Sequence, residues 1–94
     1  MTHGPLTITD AVALQTVLEA ARNTRRVRWV DQRGNVLEGT ARRICRDESG
    51  ALLPDDADVR DGTLHITTAI GLETFVPVAE VIAMVGREEF ALDD

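Results

Sequence analysis

From Arg26 onward the chain runs in short stretches where apolar and polar residues alternate, each ended by glycine, proline or paired polar residues. A period of two is the repeat of a half-buried β-strand, whose successive side chains point to opposite faces. Arg26 to Asp31 places Val27 and Trp29 on one face and Arg26, Arg28 and Val30 on the other. Gln32-Arg33-Gly34-Asn35 supplies turn chemistry, and Val36 to Arg46 resumes as a long strand in which Gly39 marks a bulge or a bend. Thr63 to Ala69 alternates again, with Leu64 and Ile66 opposite His65 and Thr67. Thr74 to Val78 follows the turn at Gly71, and Pro77 within it is confined to an edge or a bulge. Ala51 to Leu53 and Val81 to Val85 complete the expected strands. Strands this short, with turns between them, belong to a barrel or sandwich rather than to a parallel α/β sheet.

One segment departs from that period. Ala11, Leu14, Leu18 and Ala21 recur at helical spacing, flanked by Val12 and Val17. Thr7 or Thr9 can cap the first turn, Asp10 faces the positive end of the helix dipole, and Arg22 with Asn23-Thr24 closes the last turn. Such a helix is too short to persist alone and must pack on the strands. The expected fold is mainly β within the α+β class, in a single domain over 1–94. It has an N-terminal helix over about 10–22, a small antiparallel barrel of five or six strands over about 26–86, and an acidic tail at 87–94 that either docks through its only anchors, Phe90 and Leu92, or dangles. A domain of this size supports one core, which a surface site burdens less than a deep cavity does.

The net charge of −6 hides a segregation. Between Arg22 and Arg46 eight arginines face two carboxylates, whereas from Asp47 onward two arginines face twelve. All ten basic residues are arginine, the side chain shaped for bidentate contact with carboxylate or phosphate. Opposite-sign segments suggest a charged partner or an oriented self-contact; alternatively, basic and acidic strands lie side by side and neutralise one another. The candidate binding residues are Arg25, Arg26, Arg28, Arg33, Arg42 and Arg43 on the basic segment, and Asp55, Asp56, Asp58 and Asp61 on the acidic loop.

No catalytic constellation is apparent, and the chain is not expected to be an enzyme. His3 and His65 are the two histidines and Ser49 is the one serine, in a turn, so a triad has no parts; His65 alternates outward and is expected at the surface. A small enzyme or subunit with its site at an oligomer interface would have to use His65 and a nearby aspartate. Cys45, the single cysteine, stands beside Arg43 and Arg46, which could lower its pKa, although small buried cysteines are commonly inert. The aspartates from Asp55 to Asp61 fail the spacing of a calcium loop, because Arg60 falls where an oxygen ligand belongs. No metal or cofactor is expected. With three aromatic residues and no tyrosine, a stacking platform for single-stranded RNA is nearly absent, and Trp29 shares its face with Val27 as a core residue would. Met1 to Leu6 lacks the basic and apolar regions of a secretory leader, no stretch is long enough to span a bilayer, and one cysteine suits a reducing compartment, so a cytoplasmic protein without a membrane partner is expected.

The order helix, strand Val27–Asp31, turn at Gly34, bent strand through Gly39, then Leu64–Thr68, Thr74–Val78 and Val81–Val85 resembles small Sm-like and SH3-like barrels. Within these it is most similar to the bacterial Rho-binding antiterminators. The carriers are Val27-Arg28-Trp29-Val30-Asp31 with Gly34, and Ala69-Ile70-Gly71 through Val78-Ala79-Glu80-Val81-Ile82. PRC-barrel modules share a closing pattern similar to Phe75-Val76-Pro77-Val78-Ala79-Glu80-Val81. The first resemblance implies an inhibitor that docks an acidic surface, here Asp47–Asp61, on the termination factor Rho in competition with RNA. The arginine-rich strand pair departs from a uniformly acidic binder. The expected function is a non-catalytic binding or adaptor module, acting on transcription or RNA metabolism through a protein partner. The alternatives are an Sm-like RNA binder using its arginine face, possible as a homo-oligomer, and the interface enzyme above.

Overall fold

A computed structural model describes residues 4–93. Helix α1 (Ile8–Arg22) starts at Thr7, whose hydroxyl accepts the Asp10 N–H at 3.0 Å, and has Asp10 in its first turn and Arg22 in its last. Past its C-terminus the chain enters the left-handed region at Thr24, φ 51°, while Asn23 keeps φ −107° and donates both backbone and side-chain N–H groups to the Glu19 carbonyl. The buried stripe is rotated from the expected one. Ala13, Val17 and Ala20 are buried, Leu14 and Ala21 pack at the margin, and Val12 is exposed. Small side chains on that stripe let α1 sit close against a second helix.

Five antiparallel strands follow as one sheet: β1 (Arg26–Val30), β2 (Val36–Cys45), β3 (Thr63–Thr68), β4 (Glu73–Pro77) and β5 (Phe90–Leu92). Its order is β4-β3-β2-β1-β5, with β4 at one edge and β5 at the other, and this pairing does not include closure into a barrel. Pro77, which lacks the N–H a ladder needs, ends edge strand β4 as expected. The β1–β2 turn is held by Asp31, whose carboxylate accepts the backbone N–H groups of Arg33 and Asn35 at 2.9 Å each, and Gly34 takes φ 83° within it.

Three expected elements are corrected. Val81–Val85 is not a strand but lies within helix α2 (Val78–Gly86), which buries Val78, Val81, Ile82 and Met84. The apolar positions Val78, Val81, Ile82 and Val85 have helical spacing. The β-branched content that suggested a strand is outweighed by burial against the sheet. Ala51–Leu53 contributes one bridge, Leu52 to Cys45, because Pro54 and the acidic loop stop the pairing. The acidic tail is no tail over Phe90–Leu92: that segment is β5, pairing with β1, with Phe90 buried beneath α2.

Both helices cover the same side of the sheet. Leu64, Ile66, Val27, Trp29, Ala41 and Val76 from the strands meet Ala13, Val17, Ala20, Val78 and Val81 from the helices in one core. Full burial of a residue such as Leu64 or Ile66 contributes about 1.5–3 kcal/mol. The other side of the sheet has no helix over it among the described residues. The acidic segment is tied to the helical layer: the short 3-10 helix Val59–Asp61 packs on α2, and Gly62 accepts the Val78 N–H at 3.0 Å.

Candidate binding site on the open sheet face

Two backbone features of β2 shape the open face. At Gly39 an added Cβ would lie 2.5 Å from the Thr67 carbonyl oxygen and 3.0 Å from the Thr68 Cα, so the missing side chain is what lets β2 and β3 approach there. Of the bulge or bend expected at this glycine, the register shift itself lies at Arg42. Ala41 pairs with Ile66 and Arg43 with the adjacent His65, leaving Arg42 as an extra residue. A bulge resets which side chains face out. Ala41 is buried in the core, whereas Arg42 and Arg43 are consecutive exposed residues, and the Arg42 Nε donates to the Thr67 hydroxyl at 3.0 Å.

Beside them stands His65. It points away from the core, as the alternation predicts, yet it is 6% exposed and not the surface residue expected. Phe75, its partner on β4, stacks on the imidazole with centroids 4.6 Å apart and planes 16° from parallel, and Arg43 flanks it on β2. Nε2 is buried with no hydrogen-bond partner; the Glu73 carboxylate is 3.5 Å away, a distance that suits an ion pair with a protonated ring but not a hydrogen bond. An unsatisfied buried donor or acceptor costs about 1–3 kcal/mol, so a group that completes Nε2 recovers part of that cost. Arg42, Arg43, His65, Thr67 and Glu73 together line an open depression of about 620 Å³.

The other candidate residues are dispersed. Arg26 and Arg28 share the outer face of β1, where Arg28 is paired with Glu38 at 3.3 Å and Asp93 at 3.0 Å. Strand charges neutralise across the sheet there, whereas β3, the neighbour of basic β2, carries no carboxylate. Arg25 precedes β1 and pairs with Glu19 at 2.8 Å, and Arg33 lies exposed in the β1–β2 turn. Asp55 and Asp56 are exposed in the acidic loop, and Asp61 is in the 3-10 helix. Asp58 caps that helix and binds Arg60 through Nε and Nη2, an interaction that raises the Arg60 pKa. Of the acidic candidates, Asp58 and Asp61 thus belong to the turn that packs on the helical layer. His3 lies outside the described residues.

Cys45 does not become a low-pKa thiol. It is fully buried, and desolvation pushes its thiol up against the opposing pull of Arg43, while its Sγ contacts the Asp47 carbonyl at 3.3 Å. At the end of the sheet where both tight turns lie, Ile70 is 82% exposed and, with Val36 and Leu72, leaves an apolar rim. One signal in the sequence pointed to the bulge: Ala41-Arg42-Arg43-Ile44 breaks the alternation with two successive arginines. Burial of His65 had no local signal, because it depends on Phe75 from another strand.

No protein-family model, curated protein or solved structure matches this chain.

Proposed function

We propose that this chain is a non-catalytic binding module that docks an acidic segment of a partner protein on the open face of its sheet. The observation that carries this is the Arg42–Arg43 bulge, where two guanidinium groups without an ion pair among the described residues adjoin a buried imidazole lacking a hydrogen-bond partner. A protein suits this surface better than RNA. A polyanionic strand gains affinity from many phosphates in line, but Arg28 is already neutralised, the positive patch is compact and the whole chain is net acidic. Phe75, the aromatic ring beside the patch, has one face taken up by His65, which limits it as a platform for bases. The apolar rim of Val36, Ile70 and Leu72 is the type of surface that combines with arginine in protein interfaces. Control of transcription or RNA metabolism through such a partner is the role we assign to it.

The test is fluorescence anisotropy with a labelled glutamate-rich peptide and with a labelled RNA oligonucleotide, each at two salt concentrations. The peptide should bind, and the double variant Arg42→Glu, Arg43→Glu should abolish binding while the protein stays folded. Tighter binding of the RNA, with the steep salt dependence of phosphate contacts, would overturn the reading.

The exposed Asp55 and Asp56 favour a second reading, in which a basic partner such as a Rho-like factor docks on the acidic loop. Reversing both to arginine would then abolish capture of that partner, whereas the Arg42 and Arg43 variants would leave it intact.

A further inference from the structure

We infer that the depression at the bulge is a subsite for a single phosphate monoester, and that the Glu73 carboxylate is its intramolecular stand-in. This rests on the preceding reading that the open face binds an acidic segment, and it names the group that the segment presents.

The donor set exceeds what a carboxylate can use. The Arg42 guanidinium is anchored through Nε on the Thr67 hydroxyl, and its terminal nitrogens have no hydrogen-bond partner among the described residues. The Arg43 guanidinium, one residue along, has no ion pair among them. His65 adds Nε2 on a ring held in place by Phe75, and the Thr67 oxygen that accepts from Arg42 still has its own proton to donate. Two guanidinium forks, an imidazole nitrogen and a hydroxyl match the three terminal oxygens and near double charge of a phosphate monoester. A carboxylate offers two oxygens and one charge. The depression, about 620 Å³ and open to solvent, admits a phosphorylated side chain without rearrangement of the strands.

Glu73 explains how Nε2 persists without a partner. Its oxygen is 3.5 Å from Nε2, and its side chain, 67% exposed on edge strand β4, can swing into solvent. An arriving phosphate takes the place of that carboxylate and completes Nε2. Glu73 therefore competes with the ligand, which makes the site weak for mono-anions and selective for a more highly charged group.

Nuclear magnetic resonance titration of the folded chain tests this with N-acetyl-O-phosphoserine amide, inorganic phosphate and N-acetylglutamate amide at constant ionic strength. Both phosphate probes should shift the amides of Arg42, Arg43 and Thr67 and the His65 imidazole resonances, binding about tenfold or more tighter than the glutamate probe. Preference for phosphoserine over inorganic phosphate would identify a modified side chain as the source, and the reverse a free phosphate; either supports the subsite. Arg43→Gln, an exposed substitution, should lose that preference, and Glu73→Gln should strengthen phosphate binding. If the glutamate probe binds as tightly as phosphoserine and both depend on Arg43, the acidic-partner reading stands and the phosphate subsite falls. If Glu73→Gln weakens phosphate binding, Glu73 is no stand-in and the proposal is overturned. If none of the anionic probes binds, both fall.

Discussion

On the inner side of β3, Leu64 and Ile66 are fully buried among apolar side chains from both helices; on the outer side of the same strand, His65 is almost as buried but ends on a nitrogen with no hydrogen-bond partner. The inner side is complete as it stands, because every group there gains from leaving water. The outer side differs: its central polar atom is desolvated and unpaired, Arg43 flanks it, and among the described residues no helix lies over it. Burial on one face stabilises the fold, and burial on the other leaves a desolvated nitrogen unpaired. The difference comes from which face the helices occupy and from the bulge that sets Arg42 beside Arg43.

The sharpest contrast between the faces is one of stability. Leu64→Ala should destabilise the protein by about 2–5 kcal/mol in urea unfolding, whereas Arg43→Gln on the opposite side should stay within about 0.5 kcal/mol. Comparable losses from both would mean that the outer face is part of the folding core. Next in size, Gly39→Ala should cost about 1–3 kcal/mol, since its Cβ would meet the β3 backbone as well as the buried Ile66 side chain. A neutral result in the same unfolding measurement would show that β2 and β3 can separate there freely. His65→Phe should raise stability by about 1 kcal/mol while weakening anion binding, because an apolar ring against Phe75 removes the unsatisfied nitrogen. A fall in thermal midpoint would place a partner on Nε2 and erase the contrast.

The smallest effect concerns acid. The Asn35 and Arg33 backbone N–H groups hold the Asp31 carboxyl below the usual aspartate range. A carboxyl that keeps its charge to lower pH in the folded chain than in the unfolded one contributes stability above the ordinary aspartate pKa, and loses that contribution as pH falls through the folded value. Asp31→Asn should therefore narrow its stability gap to the parent protein on acidification, measured by denaturant midpoints at stepped pH. A gap that widens would contradict the turn geometry.

The strands were legible wherever one face is wet and the other dry. Val27 and Trp29 against Arg26 and Arg28 placed β1, and Leu64 and Ile66 against His65 and Thr67 placed β3. α2 was missed because its β-branched residues suit a strand locally, and its helical spacing gains meaning once a sheet needs a cover. The stripe on α1 was misplaced because Ala13, Val17 and Ala20 are small, and small residues are selected by close approach to α2 rather than by hydrophobicity. Of the candidate site, Arg42 and Arg43 were legible as charges, and His65, Thr67 and Glu73 were not legible as their neighbours.

By itself, the sequence determined an α+β chain with an N-terminal helix, antiparallel strands and charges of opposite sign in its two halves, because periodicity, turn chemistry and charge are properties of nearby residues. Tertiary structure alone decided which side of the sheet stays open, where the ladder slips, and that a histidine is buried beside two arginines. Those outcomes depend on residues distant in the chain. Phe75 must stack on His65, Gly39 must yield to Thr67, and α2 must return over the core to deliver β5 to the edge of β1.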